Sequence, residues 1–275
     1  MSNKSIQNSR RSFIKQVSFA SILLASGKLN SISAAELFDQ KDKVLLRFVV
    51  ASDSHYGQPN TEYQAMMDKV IDQINLFHLT HPLDATVING DLIHNESMFL
   101  AQVKQRIDRL TMPWYVTRGN HDMVSAELWN KTWGYPLNHQ ITVNGYPFLL
   151  MDSSNEKGEY LSPDLVWLKE SLEAVKKQKQ VFLFVHIPQA TWTKNGIDTP
   201  AFFELLAKYP NIKAVFHGHE HDQDGVKLQG KIPFYFDAHI GGNWGTAYKG
   251  FRVVELNQDG SLVTYMLNNE GGLQK

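Results

Sequence analysis

The feature that most constrains this chain is an alternation. Short apolar runs rich in β-branched and aromatic residues take turns with segments whose apolar residues recur every three or four positions. Residues 44–51, 85–89, 114–117, 148–151, 181–185, 214–216 and 234–236 read as strands. Between them, Met67, Val70, Ile71, Ile74 and Phe77 fall on one helical face, as do Val103, Ile107 and Leu110, and again Leu165, Leu168, Leu172 and Val175. Thr61-x-x-Gln64 predicts a capping box for the first helix, and Ser162-Pro163 a proline-started third. Residues 251–256 and 262–266, around Asp259-Gly260, predict a closing hairpin. Strands alternating with helices imply an α/β fold. No internal repeat or proline-rich linker divides the chain.

Composition then limits the chemistry. The chain has 275 residues, 43% of them hydrophobic and none of them cysteine. Disulfides, thiolate metal sites and cysteine nucleophiles are excluded, so any metal must be held by nitrogen and oxygen. The net charge of -1 hides an asymmetry. The first 35 residues carry five basic side chains (Lys4, Arg10, Arg11, Lys15, Lys28) and no acidic one, so the remainder is more acidic than the total suggests. An acidic body argues against general nucleic-acid binding.

The polar blocks at the strand ends are more specific than the strands themselves. Asp53-Ser54-His55 comes after the first strand, Gly90-Asp91 after the second and Gly119-Asn120-His121-Asp122 after the third. His186 comes directly after the run 181–185, and His217-Gly218-His219-Glu220-His221 after the run 214–216. In α/β sheets, sites form beyond the carboxyl ends of the strands. Taken singly, each residue reads as an ordinary polar loop. Together they would put several imidazoles and carboxylates in one crevice, with little basic side-chain charge to offset them. Such a cluster is costly without cations.

The order of these blocks (D-x-H, G-D, G-N-H-D, a lone H, G-H-x-H) resembles the calcineurin-like metallophosphoesterase superfamily, over residues 53–221. The resemblance implies two packed β-sheets flanked by helices, an αββα sandwich, over residues 36–275. It implies two metal ions per chain, of Mn, Fe, Zn or Co. Asp53, His55, Asp91 and His221 would hold the first ion. Asp91, Asn120, His186 and His219 would hold the second, with Asp91 bridging. His121 would be the acid–base and phosphate-contacting residue, oriented by Asp122. The implied reaction is hydrolysis of a small phosphoester, expected to be a diester, by a hydroxide bridging the metals. A phosphomonoesterase is the nearest alternative, and a non-catalytic metal-binding scaffold a more distant one. Gly90-Asp91-Leu92-Ile93-His94 lacks the tyrosine that purple acid phosphatases place after this block, and Gly57 after His55 matches the compact phosphodiesterase-like branch. Arg118, the arginine beside a block, reads as a supporting residue. His94 and the loop His239 to Trp244 are candidates to border the cleft. His217 reads as a structural residue, and His78, His81 and His139 as surface or packing residues.

The N-terminus resembles an export address. Ser9-Arg10-Arg11-Ser12-Phe13-Ile14-Lys15 matches the twin-arginine motif, an apolar stretch comes next, and Ser33-Ala34-Ala35 offers small residues for cleavage. Residues 1–35 are thus expected to be a signal peptide read by the twin-arginine translocase, with no stable membrane anchor. The mature protein is expected to be periplasmic or otherwise extracytoplasmic.

Overall fold

The computed structural model describes residues 17–24, 26–33 and 44–268. It opens with β1 (Val17–Leu23), β2 (Leu29–Ser31) and β3 (Val44–Ala51), followed by α1 (Tyr63–Thr80) and β4 (Ala85–Asn89). A 3-10 turn at Ser97–Phe99 leads into α2 (Leu100–Ile107), then β5 (Trp114–Thr117), α3 (Ala126–Trp133), β6 (His139–Val143) and β7 (Tyr146–Met151). Next come α4 (Leu165–Val175), β8 (Val181–Val185), α5 (Pro200–Leu206) and β9 (Ile212–His217). The chain closes with β10 (Val226–Gln229), β11 (Ile232–Phe236), β12 (Gly250–Asn257) and β13 (Leu262–Asn268).

These strands form two sheets, in the orders β2-β1-β13-β12-β3-β4-β5 and β10-β11-β9-β8-β7-β6. Each has a parallel part: β3, β4 and β5 at one end of the first sheet, and β7, β8, β9 and β11 in the middle of the second. Strands buried on both faces need continuous apolar sequence, and β3 shows why. Leu46, Phe48 and Val50 point between the sheets, where they meet Phe148, Phe182, Phe184 and Phe216. Val49 and Ala51 point the other way, onto the apolar faces of α1 and α2. The second sheet likewise turns Leu149, Leu183 and Val215 outward onto α4 and α5. The result is the expected four-layer αββα sandwich.

Local details differ from expectation at the helix ends. Thr61 does not cap α1; its hydroxyl donates to the Gln58 carbonyl, and Glu62 stands at the cap without a side-chain bond. The helix α4 starts after Pro163, where the Asp164 carboxylate accepts from Val166 and Trp167 N–H. A first turn has unpaired N–H groups, and at α4 a side chain meets that need.

Arg10 and Arg11 lie outside the described residues, as do Ala34 and Ala35. The apolar stretch after the arginines forms β1, which lies between β2 and β13 and pairs antiparallel with β13 from Val17↔Leu267 to Leu23↔Leu262. Among the described residues no helix is long and apolar enough to cross a membrane.

Candidate metal centre

Parallel strands from both sheets end on one edge, and the polar blocks leave from there. The backbone changes course abruptly at that point. Asp53, His55, Asp91 and His219 all have positive φ, between 43° and 69°, a region that few non-glycine residues occupy. Gly119 and Gly218 are glycines for want of room: a Cβ would lie 2.2 Å from Asp91 Oδ1 at the first and 2.7 Å from His186 Nδ1 at the second. The glycines in these motifs thus let the main chain approach the side chains of the site.

Six of the seven residues expected from sequence as ligands come together. Asp53, His55 and His221 form one group able to hold a cation, Asp91, His186 and His219 a second, and His55, His94 and His121 a third that shares His55. The groups touch. Asp91 Oδ2 is 3.6 Å from His55 Nε2 and 3.3 Å from His186 Nε2. Asp53 Oδ1 is 3.1 Å from His221 Nε2 and 3.8 Å from His186 Nε2. The other oxygens are taken by main chain: Asp91 Oδ1 accepts from His121 N–H and Asp53 Oδ2 from His219 N–H. Asn120, the seventh, is 6% exposed.

The donor atoms fit metal ions. Asn120 Oδ1, His186 Nε2 and His219 Nε2 are buried without a hydrogen-bond partner. Buried polar atoms are rarely left so. His55 and His221 turn their Nε2 atoms to each other at 2.9 Å. The far nitrogens are anchored. His186 Nδ1–H donates to the Asn89 carbonyl at 2.7 Å, and His221 Nδ1–H to that of Trp244 at 3.3 Å. Anchoring one ring nitrogen aims the lone pair of the other, as metal-ligating histidines require. With no cysteine, this nitrogen and oxygen set suits Mn, Fe, Zn or Co.

Charge points the same way. Burial alone would raise the Asp53 and Asp91 carboxyls, yet the imidazole of His186, aided by His221 at Asp53 and His55 at Asp91, holds both below the ordinary carboxylate range. Burial opposes charge on His186 as well, but Asp91 and Asp53 lift it to about 10. The anionic centre draws positive charge from the groups around it. Arg118 does not supply it: its guanidinium is buried on Asp152 at 2.6 Å and on the carbonyls of Val124 and Ser154.

One expected role moves to another residue. Asp122 does not orient His121. Its carboxylate accepts from the N–H groups of Ile93 and Gly119, and burial beside Asp91 raises its pKa to about 7. His121 Nδ1–H donates instead to Asn95 Oδ1 at 2.7 Å. His94, the neighbour of Asn95 in the chain, lies with its Nδ1 3.0 Å from His55 Nδ1 and its ring stacked on His121. Burial lowers the His94 pKa to about 4; with Nε2 serving a cation, His55 would carry its proton on Nδ1 and donate it to His94. Both residues sit in the loop after Asp91, a loop whose sequence signal is its nearness to the Gly-Asp block. His239, 1% exposed, stacks on His221, and His217 donates to the Val185 carbonyl as a packing residue.

Comparison with known proteins agrees with this geometry. The family model described as calcineurin-like phosphoesterase matches residues 46–223. A probable cyclic nucleotide phosphodiesterase of Fibrobacter succinogenes is 25% identical over 70% of this chain and 79% of its own length. A probable glycerophosphodiester phosphodiesterase of Arcobacter nitrofigilis is 28% identical over 50% of this chain and 56% of its own. A dimetal phosphatase from Danio rerio shares the fold with a TM-score of 0.68, at 14% identity, over 82% of this chain and 97% of that one. Matched from β3 to the last of its polar blocks, the chain belongs to the calcineurin-like phosphoesterase family.

Proposed function

We propose that the protein is an exported hydrolase of phosphodiesters working with two metal ions. One observation carries this reading: two touching ligand groups stand beside His121, and the neighbouring arginine is tied up elsewhere. Asp53, His55, Asp91 and His221 would hold one ion, and Asp91, Asn120, His186 and His219 the other, with Asp91 common to both. Two such ions, when bound, supply an activated water and positive charge for the phosphoryl oxygens.

The chain's own residues supply the rest. His121 stands against the His55 ring at 4.7 Å, with Nδ1 fixed by Asn95 and Nε2 left to give a proton. Burial lowers its pKa, which makes it a stronger acid but a less often protonated one. A diester carries one negative charge and a monoester up to two. With Arg118 held by Asp152, this site offers no guanidinium for the second charge. The names of the phosphodiesterase relatives point the same way.

The test compares chromogenic and alkyl mono- and diesters in the presence of Mn, Zn, Co or Fe, for the parent and His121→Ala. The variant keeps every ligand, so its metal content should stay near the parent's. Turnover of alkyl diesters should fall ~10²–10⁴-fold, the worth of general acid–base catalysis, and that of nitrophenyl esters less. Equal losses would make His121 a phosphate contact alone. Loss of metal would make it a ligand, and hydrolysis of monoesters only would overturn the diester assignment.

Export belongs to the same reading, supported by Arg10-Arg11 and the apolar stretch after them. Replacing both arginines with lysine should leave an intact precursor in the cytoplasm. Normal export in a fractionation experiment would refute the twin-arginine route.

A further inference from the structure

The loop between β11 and β12 presents Trp244 to the centre in a particular way. Its indole lies flat on His221, with ring centroids 4.3 Å apart and planes 6° from parallel. It also meets the His55 ring at 4.8 Å. Yet the residue is 43% exposed, so one face of a large aromatic ring is packed on metal-ligating histidines while the other is open. A solitary exposed tryptophan would need no explanation. This one is held in place. Gly241 N–H donates to the Asp53 carbonyl and Thr246 N–H to that of His221. Gln58 donates to Asn243 at 3.0 Å. At Gly245 a Cβ would sit 2.4 Å from His221 Cβ, so the loop lies directly on the ligand. Little ordering of the ring remains to be done on binding, which favours affinity.

Its position also says which part of a substrate it meets. His121 and Trp244 stand against the same ring, His55, at 4.7 and 4.8 Å. His94 meets both, stacked on His121 at 4.9 Å and 6.3 Å from Trp244, so the proton donor and the indole border the same side of the centre. Tyr160, 40% exposed, stands instead against His219 of the other ligand group, at 4.7 Å. The indole is thus the aromatic surface on the proton-donor side.

Resting on the hydrolase reading above, we propose that Trp244 is the platform on which a planar leaving portion of the substrate stacks. It makes the enzyme select phosphoesters of nucleosides or aryl alcohols over those of aliphatic alcohols. Every base has a π-face, and stacking one on an aromatic side chain is worth on the order of tenfold in affinity.

The test uses Trp244→Leu and Trp244→Phe in the metal-loaded protein. The substrates are 3′,5′-cyclic adenosine monophosphate and glycerophosphoglycerol, both diesters, one with a base and one without. The leucine variant should lose about tenfold more kcat/KM on the nucleotide than on the glycerol diester, mostly in KM. Phenylalanine should restore most of that difference. Binding of adenosine monophosphate, read by calorimetry, should weaken in parallel, with metal content unchanged because the His221 anchor is the Trp244 main-chain carbonyl. Equal losses on both diesters, or loss of metal, would overturn the proposal and leave Trp244 a packing residue for His221. If the parent cleaved monoesters alone, the diester reading would fall, while the same comparison on adenosine monophosphate and glycerol phosphate would still decide the platform.

Discussion

Phe48, Phe148, Phe182, Phe184 and Phe216 lie between the two sheets at 0% exposure, and a few residues further along the same strands Asp53, His55 and His186 are at 0% as well. Equal burial has opposite consequences in the two regions. The phenylalanines meet edge to face or stacked, at 4.8 to 6.1 Å, and each contributes ~1.5–3 kcal/mol simply by leaving water. The carboxylates and imidazoles lose hydration by the same burial and regain it only through partners. Asn120 Oδ1 and His219 Nε2 lack hydrogen-bond partners, and His186 Nε2 has only the carboxylates of Asp91 and Asp53 near it. One region stabilises the fold unaided, and the other is complete only with cations. The difference teaches that the sandwich is a rigid support for a cluster that does not stabilise itself.

Three substitutions would break or sharpen that contrast. The largest effect is expected at Asp91→Asn, because Asp91 Oδ2 reaches His55 and His186, one in each ligand group. Most bound metal should be lost, and turnover should fall ~10³-fold or more, beyond the ~10²–10³ of a single preorganised group. Elemental analysis and steady-state rates read both, and two retained ions with normal turnover would refute the bridging role. A smaller effect is expected at His94→Phe, which keeps a ring against His121 but removes the acceptor for His55 Nδ1–H. Losing such a supporting partner costs ~10–100-fold in metal affinity. Titration with Mn or Zn should show that loss, and His94→Gln should recover part of it; an unchanged affinity would reduce His94 to packing. The smallest effect on the site is expected at Phe148→Leu. Stability should drop by about 1 kcal/mol, seen in the denaturation midpoint. Metal content and turnover per folded molecule should stay within about twofold of the parent. A loss of metal here would show that core and cluster are not separable.

Much of the fold is legible in the chain because it is local. The runs 44–51, 85–89 and 181–185 coincide with β3, β4 and β8, since a strand buried on both faces is mostly apolar. Met67, Val70, Ile71, Ile74 and Phe77 are the buried face of α1, as helical spacing requires. The short edge strands β6 and β10 leave no such mark, because half-exposed residues such as those of β10 carry no apolar run. Adjacency in sequence pairs Asp122 with His121, but the Asp122 side chain turns inward to Ile93 and Gly119.

The chain alone shows which residues leave each strand end, and so the available donor types and the α/β class; the two-sheet plan rests on the family resemblance those blocks carry. Only the tertiary structure decided who faces whom. Asp91 meets His186 because β4 and β8 lie in different sheets packed face to face. Asn95 meets His121 because the loops after β4 and β5 fold over the same edge. Trp244 meets His221 because the loop after β11 returns to that edge, where glycine lets it close. Such pairings join residues far apart in the chain. They arise from how whole layers pack, and no short window of sequence encodes them.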